Sequence, residues 1–284
     1  MALLKFYELK LDRLLGEKMI IESPTPKMLA EVRDGVAWIT FNAPEKRNAM
    51  SLDMWQGLGE IIEKIETEES VRVLILKGAG DIAFVSGADI SEFEDKRSNQ
   101  KDRDTYEAAF DNALDKLANF SRPVVAMIRG YCIGGGLAIA LNTDVRIASK
   151  NSKFGIPAAK LGLGYGFQAV KTLASIVGPS SAKDILFTAR FLKESEALRL
   201  GLINFVVDSE VLETTVSEYA DKIVANAPLT ISAVKATVGE VVKDPGQESP
   251  THIDEMVNNC FLSEDYKEGR SAFLEKRKPK FTGS

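Results

Sequence analysis

The chain has 284 residues, of which 45% are hydrophobic and 27% charged, with a formal charge of −5; that balance suits a globular protein large enough to bury a core without staples. The absence of a strongly basic segment argues against a dedicated nucleic-acid binder, and no apolar run approaches the roughly 20 residues of a membrane span. Two distant cysteines, Cys132 and Cys260, and a single histidine, His252, exclude a disulfide framework, give a metal site no support and suit a reducing cytoplasm.

In chain order, Leu3, Leu4, Tyr7, Leu11, Leu14 and Leu15 recur at helical spacing and predict an amphipathic N-terminal helix. Glu8, Asp12 and Glu17 speak against a mitochondrial transit peptide. With Ser23–Pro26 as linker, residues 1–28 read as an extension, the alternative being a dispensable appendage. Val36–Phe41 is rich in β-branched and aromatic residues and predicts a strand. Ser51 can cap a following helix whose apolar face is Trp55, Leu58, Ile62 and Ile65. Val71–Leu76 is nearly continuous apolar, as in a strand buried on both faces. Tyr106, Phe110, Leu114 and Leu117 mark another helix, and Pro123–Ile128 and Asp144–Ala148 further strands. Beyond residue 165 the pattern turns helical, with faces at Val170, Leu173 and Ile176, at Leu212, Val216, Tyr219 and Ile223, and from Ala233 to Val242. There strand signals fade after Phe205–Val207, and Pro245–Pro250 reads as a loop. The whole is an α/β region of about two-thirds of the chain followed by a helical third.

Three segments could carry chemistry. Gly78-Ala-Gly80-Asp-Ile-Ala83 matches a dinucleotide-binding glycine pattern, but the adjoining Phe84–Ile90 has no helical periodicity, which argues against a pyrophosphate site. In Ser86-Gly87-Ala88-Asp89 the small residues let backbone approach a ligand, and Asp89 can cap a helix starting near Ile90; a plain turn explains the same residues. Gly134-Gly135-Gly136 follows a buried strand and opens the apolar helix Leu137–Leu141. Glycines there expose N–H groups to an oxyanion, or simply allow close packing of helix on sheet.

Taken in order, Asn48-Ala49-Met50, Phe84–Ile90, the glycine triplet, Asp144–Ala148, Phe154-Gly-Ile-Pro157 and the ending Ser263–Gly269 … Ala272–Phe281 resemble the crotonase (enoyl-CoA hydratase/isomerase) superfamily over residues 29–281. The resemblance implies a spiral of ββα turns over 29–205 with an acyl-CoA site, then a helical trimerisation region over 206–284. It implies a homotrimer or homohexamer, with coenzyme A entering as part of the substrate and no separate cofactor. The thioester oxygen would be held by the N–H groups of Ala88 and Gly135. Ala49, Ser86, Asp89, Ile90, Gly134, Ala138 and Ala158 would line the substrate, Lys46 and Arg47 would lie near the nucleotide, and Phe273 and Lys276 would reach a neighbouring subunit's CoA.

The sequence departs from the family where hydration needs it most. The two glutamates of the hydratases fall on Ala138 and Ala158, and alanine transfers no proton. The segment Pro157–Tyr165 is similar to the methylmalonyl-CoA decarboxylase branch, which carries a tyrosine at the position of Tyr165, although that branch keeps a histidine at the first hole position and a glutamate at the position of Ala138. The expectation is therefore an acyl-CoA lyase of the decarboxylase type. The alternatives are a hydratase or isomerase with relocated acid–base groups, Glu92, Asp144 and Lys160 being the first to examine, and a non-catalytic CoA-binding protein.

Overall fold

A computed structural model describes residues 18–89, 100–244 and 246–284. The expected N-terminal helix, Ile90 and the helix start beside it, Glu92 and Pro245 lie outside the described residues. Strands β1 (Met19–Ile21), β2 (Met28–Arg33) and β3 (Val36–Phe41) form an antiparallel meander, so Ser23–Pro26 is a turn between two paired strands and not a linker. Helix α1 (Leu52–Glu66) leads to β4 (Val73–Gly78), β5 (Ala83–Val85) and α2 (Gln100–Ala118). Next come β6 (Val124–Ile128), β7 (Tyr131–Ile133) and α3 (Gly135–Leu141), then β8 (Val145–Ser149), β9 (Lys153–Gly155) and α4 (Phe167–Thr188). Each of these three units places its first strand in a seven-stranded sheet of order β1-β2-β3-β4-β6-β8-β11 and its second in a four-stranded sheet of order β10-β9-β7-β5. That repetition is the ββα spiral.

Short β10 (Leu192–Lys193), α5 (Glu194–Arg199) and β11 (Phe205–Val207) close the spiral, and α6 (Leu212–Val224), α7 (Pro228–Val241), α8 (Pro250–Leu262) and α9 (Glu264–Glu275) form the helical end. Helix α4 is broken at Gly178, where φ is 78° just before Pro179.

The continuous apolar strands divide their side chains by alternation. Leu74 and Leu76 enter the main core with Ile39, Phe41 and Trp55, whereas Val73 and Ile75 join Trp38, Val125, Met127 and Ile147 under Leu212, Val216 and Ala220 of α6. The fourth strand begins at Val73, two residues later than its apolar run, and just before it Arg72 N–H donates to the Gly35 carbonyl at 2.7 Å. Ser51 holds the N-cap position of α1, but its hydroxyl bonds Lys27 and Asp53 instead of a helix N–H.

Candidate active site

Strands β5 and β7 pair in parallel, Ala83 with Tyr131 and Val85 with Cys132. Two neighbouring parallel strands deliver the loops at their carboxyl ends to the same edge, where open α/β sheets bind ligands. Those loops are Ser86–Asp89 and Gly134–Gly136. A β-carbon built on Gly134 would lie 3.7 Å from Gly87 Cα, and one on Gly135 3.8 Å from the Gly87 carbonyl carbon. The two segments therefore run close together, with space between them at these positions for little more than a β-carbon.

Backbone direction decides which N–H groups are offered. Met50 N–H donates to the Gly87 carbonyl and Asp89 N–H to the Met50 carbonyl, both at 2.8 Å, forming an isolated parallel bridge centred on Ala88. In such a bridge the flanking residues make the bonds and the middle residue turns its own N–H to the opposite side. No acceptor among the described residues takes the Ala88 N–H. Gly135 is the first residue of α3, so its N–H has no partner within the helix. Gly134 donates to the Gly155 carbonyl at 2.8 Å, and the first helical bond runs from Ala138 to Gly134; here too no described acceptor takes the Gly135 N–H. Helix α3 has only seven residues, so these individual N–H groups matter more than a macrodipole.

Glycine is dictated locally. Gly134 has φ 52° and ψ −114°, a conformation that a β-carbon strains. At Gly136 a β-carbon would stand 2.2 Å from the Val85 carbonyl oxygen, so α3 can approach β5 this closely only without one.

The other residues of the expected site take the following places. Ala138 lies one turn down α3 and is 4% exposed, and Ala158 is the second residue of the 3₁₀ turn Pro157–Leu161 after β9 and is 9% exposed. Both belong to the main core, against which the half-buried Tyr165 packs. Burial pushes the Tyr165 hydroxyl up to about 12, so it stays protonated through the neutral range. Ser86 N–H bonds the Arg47 carbonyl at 3.1 Å, which ties the donor loop to Lys46–Ala49.

The two cations expected near the nucleotide stand as follows. Lys46 Nζ lies 2.6 Å from a carboxylate oxygen of the nearly buried Asp89, so its charge is committed to the loop. Arg47 is exposed and lies 5.8 Å from the centroid of the Tyr131 ring. Phe273, 84% exposed, and Lys276 sit on and just after α9, and among the described residues no hydrogen bond or ion pair joins them to these loops.

The other candidate acid–base groups are engaged. Asp144 accepts from Val124 N–H at 2.7 Å and pairs with Lys235 at 2.8 Å, at the start of β6, while Lys160 lies 5.7 Å from the Phe191 ring centroid. The dinucleotide pattern forms strand, turn and strand, because β4 ends at Gly78 and β5 begins at Ala83; no helix N-terminus is presented. Among the described residues no cluster of acidic, histidine or cysteine side chains could hold a metal ion, and no helix is long and apolar enough to cross a membrane.

The sequence reading missed Trp55 and Tyr106, taken only as apolar positions on helix faces. Their polar tips meet: Trp55 Nε1–H donates to Tyr106 Oη at 2.7 Å in the buried interior beneath Gly135.

Comparison with known proteins places these features in a family. The family described as Enoyl-CoA hydratase/isomerase matches residues 31–284. The chain is 37% identical over 251 residues to a short-chain-enoyl-CoA hydratase of Clostridium acetobutylicum, covering 88% of this chain and 95% of that protein. It is 33% identical to a crotonyl-CoA hydratase of Syntrophomonas wolfei, covering 89% and 97%. Among solved structures, an enoyl-CoA hydratase/carnitine racemase from Magnetospirillum magneticum superposes with a TM-score of 0.88 at 35% identity, covering 92% of this chain and 97% of that one.

Proposed function

The chain belongs to the enoyl-CoA hydratase/isomerase family, and from that premise we propose that it is an acyl-CoA lyase that stabilises a thioester enolate and acts as a decarboxylase. The observation that carries this reading is the pair Ala138 and Ala158, both buried and both without an ionisable atom, in a chain whose Ala88 and Gly135 N–H groups have no acceptor among the described residues. Hydration needs a base to activate water and an acid to deliver a proton. Decarboxylation of a malonyl-type thioester needs neither at the bond-breaking step. The C–C bond to the carboxylate breaks, CO₂ leaves, and the electron pair passes through the α-carbon to the thioester oxygen. Two preorganised N–H donors stabilise that oxygen, a contribution typically of about 3–4 kcal/mol per donor. Water then returns a proton to the α-carbon.

In this reading Tyr165, protonated and half-buried, donates a hydrogen bond that orients the departing carboxylate. The apolar surroundings of Ala138 and Ala158 solvate that charge poorly and favour its loss as neutral CO₂. Ala49, Ser86 and Gly134 line the path of the acyl-CoA in residues 29–205. Residues 206–284 form the assembly region of a trimer or hexamer, supported by exposed Val234, Val238, Val241, Phe261, Leu262 and Phe273. Phe273 and Lys276 then meet the neighbour's CoA; a monomer by light scattering at micromolar concentration would remove this part.

The hydratase activities named for the Clostridium and Syntrophomonas relatives favour a second reading, hydration with relocated acid–base groups. Assay of the purified chain against crotonyl-CoA, malonyl-CoA and methylmalonyl-CoA separates the two. Release of CO₂ faster than formation of a 3-hydroxyacyl-CoA supports the lyase, and rapid hydration of crotonyl-CoA overturns it. Turnover of none of the three would leave CoA binding without catalysis.

A further inference from the structure

Trp55 leads the largest side chains wholly removed from solvent, and Tyr106 is only 4% exposed. Packing alone would be served by phenylalanine or leucine at both positions. Burying an indole N–H and a phenol hydroxyl is favourable only if each finds a partner, and the partner each finds locates its role. The indole ring lies under one donor loop, its Cζ2 3.1 Å from the point where a Gly135 β-carbon would sit. Its Nε1–H donates to Tyr106 Oη at 2.7 Å, and that hydroxyl donates onward to the Met50 carbonyl at 3.4 Å. Met50 is the residue whose N–H and carbonyl grip Gly87 and Asp89 on either side of Ala88. Phe110 packs edge-on against the indole with centroids 4.8 Å apart and holds its plane. A single hydrogen-bonded pair from α1 and α2 thus reaches one loop directly at Gly135 and the other through Met50, which bonds the residues on either side of Ala88.

We infer that the Trp55–Tyr106 pair is a positioning device that sets the Ala88 and Gly135 N–H groups at the separation where both reach one thioester oxygen. The inference rests on the reading that these two groups form the oxyanion site. Tyr106 acts here as a positioning residue, through the Met50 peptide, and not by proton transfer.

The test uses the full-length protein and trans-cinnamoyl-CoA, a conjugated thioester whose absorption moves to longer wavelength when its carbonyl is polarised. Wild type is expected to bind it with a red shift. In Tyr106→Phe the ring and its packing remain while the link to Met50 is lost. The expected result is a red shift reduced to about half or less, with the dissociation constant for cinnamoyl-CoA changed by less than about threefold, and kcat on whichever CoA ester turns over falling about tenfold with little change in KM, as expected for groups misplaced by a fraction of an ångström. A merely structural role would lower the melting temperature and leave the shift intact. Should Tyr106→Phe fail to fold, Trp55→Phe serves the same purpose, since it keeps an aromatic ring under Gly135 and removes the indole donor. A folded variant that retains the full wild-type shift overturns the inference alone. Wild type that binds cinnamoyl-CoA with no shift overturns the oxyanion reading, and the inference with it.

Discussion

Gly136→Ala should destabilise the protein although alanine is the better helix former. Its new β-carbon would stand 2.2 Å from the Val85 carbonyl oxygen and 2.8 Å from Val85 Cβ, where ordinary contact begins at 3.4 Å. The obstacle is main chain of β5, which cannot rotate aside, so α3 must retreat by about 1 Å, a displacement large enough to cost on the order of 100-fold in a preorganised site. Overpacking of this kind typically costs about 1–3 kcal/mol, and relief of the glycine penalty in a helix returns about 1 kcal/mol. With a rigid obstacle the upper end applies, leaving a net loss of about 2 kcal/mol. Urea unfolding followed by tryptophan fluorescence, at one fixed protein concentration, measures it as a lower midpoint with an unchanged slope. Gly164→Ala is the control, because a β-carbon there meets nothing within 4 Å. A Gly136→Ala protein within about 0.5 kcal/mol of wild type would refute the reasoning, because surface-like tolerance is incompatible with that contact.

Four further outcomes are expected. Wild type should hydrate crotonyl-CoA slowly, and Ala138→Glu with Ala158→Glu should raise the rate by at least about 100-fold in a coupled spectrophotometric assay, since each acid–base group is worth about 10²–10⁴-fold. Tyr165→Phe should slow CO₂ release from a malonyl-type CoA about tenfold while CoA affinity, by calorimetry, stays within about twofold, because one hydrogen bond to a charged group is lost. Asp265, 3% exposed, accepts from Thr282 N–H at 2.7 Å and Gly283 N–H at 2.9 Å; Asp265→Ala should therefore cost about 1–3 kcal/mol and speed hydrogen exchange at those two amides. Finally, the fork from Arg277 and the N–H of Lys280 hold the Glu268 carboxyl down at about 2, below its usual 4.5. The unfolded chain takes up this proton first, so the contribution is complete above pH 4.5 and is lost as pH falls toward 2; carbon-detected NMR should place the Glu268 midpoint near 2.

Much of the fold was legible in the sequence because its signals are local. Val71–Leu76 reads as a strand buried on both faces since it is nearly continuous apolar, and the structure sends alternate side chains from Val73 to Leu76 to two cores. The motif order from Asn48 to Phe281 carried the family, and Ala138 and Ala158, read by residue identity alone, are what the lyase proposal starts from. Other features had no local signal. Strands β5, β7 and β9 are three residues each, too short for a period of two to declare itself, yet the parallel pairing of β5 with β7 brings the two donor loops together. Periodicity also reports which face a side chain takes, never its partner. Lys46 read as a cation near the nucleotide or on a solvated turn, and only folding shows it set against Asp89, 43 residues away. Trp55 and Tyr106 read as grease until their polar tips met across 51 residues, because a buried hydrogen bond between two helices is decided by how the helices pack and by nothing in either helix alone.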